Sequence, residues 1–241
     1  VPSILLIPLL LRSLPQQLPA PVNPLSGQEK FLAVVFSLGS GYLFSYVTLA
    51  LIHVLEGFVG QSSGNAVSAM ESALPPVTAI LTFVVVAPIA EEFIFRRLLL
   101  DRVRIFGDGA AILIGGAAFG LFHGNLNQTL YAFVLGAVFS AIVLLTNRLR
   151  YPIGIHMLIN GISVLTTLVE SDLLDYLLAC VILFSICFSV VLFFVRRKHY
   201  TLEPGPLPFS RAEKAHACFT SPWVWVLLVG GLLFSGVSIF L

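Results

Sequence analysis

Ala90-Glu91-Glu92-Phe93-Ile94-Phe95-Arg96 is the stretch that decides the fold of this chain. It sets two adjacent carboxylates at the end of a run, residues 72–90, that contains no charge. Two later apolar runs carry one histidine each, His123 and His156. An ionisable side chain in a membrane-length segment costs roughly 2.5–3.5 kcal/mol on insertion scales, so such groups face a protein interior and serve a function. A glutamate pair and two histidines in successive segments imply a polar reaction centre built inside a membrane bundle.

Composition supports that reading. The chain is 58% hydrophobic and 10% charged, against roughly 45–50% and about 25% in soluble domains, and its mean hydropathy is +0.99. A net charge of +1 lacks the basic excess that nucleic-acid partners require. The 241 residues suffice for a single integral membrane domain over 1–241 and leave no room for a soluble one. Cys180, Cys187 and Cys218 are odd in number and lack metal-type spacing, which predicts buried free thiols. The chain opens on Val1 rather than Met, consistent with an upstream piece, and residues 4–11 read as the tail of a truncated first helix or an interfacial segment.

A spanning helix needs about 20 apolar residues. Seven candidate spans satisfy or approach this: 31–55, 72–95, 109–123, 128–147, 151–169, 176–195 and 219–241, the third being short. These are unbroken apolar runs without period-2 alternation, which excludes a β-barrel. The expected fold is all-α, a polytopic transmembrane bundle of about seven or eight helices. The loops alternate in sign. Lys30, the Arg96–Arg104 group, Arg148, Arg150, Arg196, Arg197, Lys198, Arg211 and Lys214 fall on one side, and Glu56, Glu71, Glu170 and Asp172 on the other. The positive-inside rule makes the basic side cytoplasmic. Residues 196–218, with Pro204, Gly205, Pro206 and Pro208, read as a cytoplasmic linker. Gly107 marks a hairpin. Glu91 lies 16 residues before it and His123 16 after it, so the two stand at one level, ~24 Å from the tip at ~1.5 Å per residue. If the tip projects into the cytoplasm, His156 can join them just beneath that face.

Glu92 and Arg96, four apart, suit an ion pair along one helix. Glu91 points about 100° away from that line. Pro88 just upstream kinks the helix and frees the Val84 carbonyl, an interruption tolerated where a membrane helix lines a protein interior or wet cavity. Glu91 is then the acid–base group and Glu92 the holder of Arg96; the blander reading has both glutamates snorkelling to water. Phe119 and His123 are also four apart, beside Gly116, Gly120 and Gly124, a small-residue stripe that admits a close helix and would bring His123 to Glu91. His156 and Asn160 repeat the spacing after Pro152, and two neutral donors on one face suit an oxyanion. For both histidines the blander reading is interhelical hydrogen bonding. His53, His199 and His216 read as interfacial or solvated, and Trp223 and Trp225 as interfacial anchors.

At these residues the chain resembles the CAAX-protease and bacteriocin-processing family of intramembrane endopeptidases, which includes the type II CAAX prenyl proteases. The resemblance rests on Glu91-Glu92-Phe93-Ile94-Phe95-Arg96, Phe119-Gly120-Leu121-Phe122-His123 and His156-Met157-Leu158-Ile159-Asn160 in order, and covers residues 72–169, a four-helix catalytic core. It implies that Glu91 and His123 activate water for attack on a peptide carbonyl. It further implies that His156 and Asn160 form the oxyanion site and that Glu92 with Arg96 supports Glu91. It implies no metal or other cofactor; zinc at Glu91, His123 and His156 is the alternative, since two His and a Glu can make an open site. The implied partners are membrane lipid and a lipidated or membrane-associated peptide, a prenylated C-terminal motif among the options. Intramembrane Glu and His also mark proton relays, so a proton-coupled transporter or a non-enzymatic immunity factor is the competing reading.

Overall fold

The computed structural model describes residues 24–60, 73–196, 198 and 201–237. Residues 4–11, Glu71, Arg197, His199 and the side chains of Cys218 and Trp223 lie outside the described residues. All regular structure among the described residues is helical.

The first helix, α1 (Gly27–Val59), begins where Ser26 and Glu29 cap one another: the Ser26 hydroxyl accepts from the Glu29 amide, and the Glu29 carboxylate accepts from the Ser26 amide. Such a reciprocal cap satisfies two of the amides orphaned at a helix start. Next comes α2, one continuous helical run over Pro76–Phe106. Gly107, at φ 98°, breaks it and α3 (Asp108–Phe122) returns. Then follow α4 (Leu126–Thr146), α5 (Arg150–Leu168), α6 (Asp172–Arg196), α7 (Arg211–Thr220) and α8 (Pro222–Val237). The chain is thus a polytopic helical membrane protein.

Among the described residues five helices, α1, α2, α4, α5 and α6, are long and apolar enough to cross a membrane. The seven expected spans therefore include two shorter apolar helices. At 15 residues, α3 reaches ~22 Å, short of a ~30 Å hydrocarbon core. The segment expected from residue 219 is divided between α7 and α8 at Ser221. Helix α7 also lies partly inside the stretch read as linker. Its start is another reciprocal cap, Ser210 with Glu213, and hydrogen bonding from the Ser210 amide, then from its hydroxyl, holds the Glu213 carboxyl below the usual carboxylate range.

Close helix contacts set the bundle. Gly39 of α1 lies against the Ser185 carbonyl and the Ser189 hydroxyl of α6, where a methyl group would collide with backbone. Gly120 of α3 similarly abuts the Thr129 carbonyl of α4, and Gly136 of α4 abuts Gly116 and Phe119. The small-residue stripe of α3 therefore seats α4, rather than drawing His123 to Glu91. Gly124 belongs to a turn (φ 64°) and not to the stripe. Because α6 meets α1 through Ser185 and Ser189, most of its other side chains face outward. Cys180 and Cys187 are exposed free thiols, which corrects the expectation of buried ones.

The α2–α3 hairpin has the anticipated register. Phe95 and Phe119 lie 12 residues to either side of Gly107, and their rings meet edge to face at 5.3 Å. Residues 203–206 close over the tip: the Asp108 amide donates to the Glu203 carbonyl at 2.9 Å, and the Glu203 amide to the Asp108 carboxylate at 3.1 Å. Two arginines counted with the basic loop are buried. Arg96 is 0% and Arg102 9% exposed, and Arg102 donates to the Leu98 carbonyl at 3.2 Å.

Candidate active site

Helix α2 is α-helical around Glu91 and Glu92 (Ala87–Glu92), but on either side it widens into π-helical turns, Ile80–Val86 and Phe93–Leu99. Such insertions leave the ordinary hydrogen-bond ladder and often occur at functional sites. Pro88 has a specific consequence here. The Ala87 amide donates five residues back, to the Thr82 carbonyl. The next bond in that register would run from residue 88 to Phe83, and proline has no N–H to make it. Phe83, not Val84, is therefore left with the orphaned carbonyl. Asn160 of α5 fills the gap, its side-chain amide donating to the Phe83 carbonyl at 2.9 Å. Pro88 and Asn160 together fix α5 against the π-helical part of α2.

That contact brings His156, one turn earlier on α5, to the glutamates. Glu92 is fully buried, and its two carboxylate oxygens serve different partners. Oε2 lies 3.1 Å from Arg96 Nε, and Oε1 lies 3.1 Å from His156 Nδ1. Glu91 is more open, its side chain 18% exposed, and its Oε2 is 3.9 Å from His156 Nε2. His156 thus stands between the two carboxylates, one on each ring nitrogen. A carboxylate facing Arg96 accepts rather than donates, so the proton on Nδ1 belongs to the imidazole and Nε2 faces Glu91.

His123 is held differently. Its Nδ1 donates to the Phe119 carbonyl at 2.8 Å, one turn back, which leaves Nε2 as the free nitrogen. Its ring lies 4.9 Å from that of Phe119, which in turn lies 5.7 Å from His156. The sequence placed His123 against Glu91 and His156 across the cavity from both. In the structure His156 is the histidine beside Glu91, because Asn160 draws α5 onto α2.

The six expected residues, Glu91, Glu92, Arg96, His123, His156 and Asn160, are accordingly gathered on α2, on α5 and at the end of α3. His156 Nδ1 is taken by Glu92 and His123 Nδ1 by Phe119. Among the described residues no three His, Cys, Asp or Glu side chains are grouped so as to hold a metal ion.

The same stretch carries a family signature. Residues 73–162 match the family model described as type II CAAX prenyl endopeptidase Rce1-like. Over that stretch, somewhat more than a third of its length, the chain is similar to the Rce1-like CAAX protease family. Among curated proteins it is similar to "Membrane-embedded CAAX protease MroQ" of Staphylococcus aureus (strain USA300), 25% identical over 154 residues, 61% of this chain and 62% of that one. It is also similar to "Putative membrane peptidase YdiL" of Bacillus subtilis (strain 168), 25% identical over 144 residues, 57% of each chain. The chain spans about three fifths of the length of these relatives. No solved structure matches. The Rce1-like match encloses all six site residues, and it also contains Phe83 and Phe139, two residues that sequence reasoning passed over. Pro88 was the available signal for Phe83, provided the wide turn was foreseen. For Phe139, an aromatic in an apolar helix, the sequence offers none.

Proposed function

We propose that this chain is an intramembrane endopeptidase that hydrolyses a peptide bond with a water molecule activated by Glu91. The observation that carries the reading is the Glu92 carboxylate, fully buried and divided between Arg96 and His156, beside a second carboxylate that is partly open. One glutamate is committed to structure and the other is left free to exchange a proton. The Rce1-like match over the same residues supports the assignment.

In the proposed reaction Glu91 takes a proton from water as the water oxygen bonds to the carbonyl carbon, with His123 Nε2 as the second acceptor at the site. The developing oxyanion lies against the His156 ring and accepts from Asn160. An amide group carries two N–H donors, so Asn160 can hold Phe83 with one and offer the other. The proton on Glu91 then passes to the leaving nitrogen as the C–N bond breaks. Glu92 and Arg96 keep the His156 ring in place throughout. The substrate class we propose is a lipidated or membrane-associated peptide, reached at the face of the bundle where the basic loops lie, which the positive-inside rule makes cytoplasmic. Reconstitution in lipid vesicles with matched prenylated and unmodified peptides, followed by mass spectrometry, tests this. New peptide termini are the expected result. Intact peptides with folded protein would favour a non-enzymatic role instead.

The proposed chemistry is metal-free. Purified protein should contain well under one equivalent of zinc by elemental analysis, and chelators should leave cleavage unchanged. Stoichiometric zinc whose removal abolishes cleavage would replace this mechanism while leaving the endopeptidase reading in place.

A further inference from the structure

Arg96 is fully buried, and such a charge is costly unless compensated. Glu92 supplies the counter-charge, yet the contact is oblique: none of the Arg96 nitrogens finds a hydrogen-bond acceptor in good alignment among the described residues. Ring faces surround the guanidinium instead. Its central carbon lies 4.5 Å from the centre of Phe119, 5.6 Å from Phe139 and 5.8 Å from Phe95. All are within the ~6 Å over which a ring quadrupole attracts a cation.

Phe139 differs from the other two. It comes from α4, a helix that supplies none of the six polar site residues, and it is fully buried between Leu135, Ile142 and Ile155. It also reaches His156, ring centre to ring centre 5.8 Å, tilted by 39°. Phe139 therefore touches both partners of Glu92, as Phe119 does from α3 at 4.5 Å from Arg96 and 5.7 Å from His156, and the two rings brace the pair from different helices.

We propose that Phe139 is a positioning residue: its ring holds the Arg96 guanidinium and the His156 imidazole in register on the two oxygens of Glu92, a task that hydrogen bonds do not perform for Arg96. The inference rests on the endopeptidase reading for its kinetic consequence and on geometry alone for its structural one.

The test replaces Phe139 in the full-length, reconstituted protein with Leu, Tyr and Trp, and with 4-fluoro- and 3,4,5-trifluorophenylalanine. Fluorination keeps the ring's shape while weakening its face toward a cation, so a purely space-filling role is insensitive to it. Phe139→Leu should lower kcat about 10-fold, the scale of one desolvated cation–π contact, with KM within about 2-fold. The fluorinated series should fall stepwise with fluorine number, and Tyr or Trp should retain most of the rate. Equal rates across the fluorinated series, or a Leu variant as fast as wild type, would overturn the proposal. A second readout needs no substrate. The downfield imidazole N–H resonance of His156, identified by its loss in His156→Asn, should persist in Phe139→Trp and broaden or vanish in Phe139→Leu. An unchanged resonance in Phe139→Leu would overturn the proposal even if wild-type protein cleaved nothing, whereas absent cleavage by wild type counts against the endopeptidase reading alone.

Discussion

Glu91→Gln should reduce turnover by more than ~100-fold, the usual scale for a lost acid–base group, while leaving the protein folded. The substitution is nearly isosteric, and the ring nitrogen that Glu91 faces, His156 Nε2, stands 3.9 Å away, beyond hydrogen-bond reach. Removing the charge therefore costs the bundle little and the reaction most of its rate. The measurement is kcat on a quenched lipopeptide in vesicles, paired with a thermal melt of the same sample. KM should stay within a few-fold, because the carboxylate acts on water and not on the peptide's anchoring parts. His123→Ala should lower the rate in the same direction. A folded Glu91→Gln protein that cleaves at the wild-type rate would remove Glu91 from the mechanism and leave its partial exposure without a chemical purpose.

How much of this arrangement can be read from the residues depends on distance along the chain. Local periodicity predicts the Glu92–Arg96 pair, because four residues bring side chains together on one helix face. It predicts the hairpin register that sets Phe95 against Phe119. The contacts that organise the site are long-range. Glu92 to His156 spans 64 residues and Asn160 to Phe83 spans 77, and no periodic pattern encodes either. The wide turns of α2 escape for a related reason. Pro88 shows that a ladder bond is lost, but which carbonyl it orphans depends on whether the helix is α or π at that point, and Phe83 is orphaned only in the latter. The exposed cysteines escape because a membrane helix can be apolar on every face, so hydrophobicity alone cannot say which face is buried.

Arg96→Met should destabilise the protein by about 3–5 kcal/mol, the cost of leaving a buried partner uncompensated. In wild type, Glu92 and Arg96 are both 0% exposed and 3.1 Å apart. Among the described residues, deleting the cation leaves the fully buried Glu92 with His156 as its one ion-pair partner. Neutralising both residues removes the imbalance. The double variant Glu92→Gln with Arg96→Met should therefore recover most of the lost stability, since Met fills the space among Phe95, Phe119 and Phe139 and a glutamine oxygen still accepts from His156 Nδ1. Activity should not return with stability, because a neutral amide holds the His156 ring less firmly than a carboxylate does. The check is a double-mutant cycle by reversible unfolding in mixed micelles, with turnover measured on each refolded sample. A double variant no more stable than Arg96→Met alone would mean that the pair is held for shape and not for charge. A double variant that regains full turnover would mean that the charge of Glu92 plays no part in orienting His156.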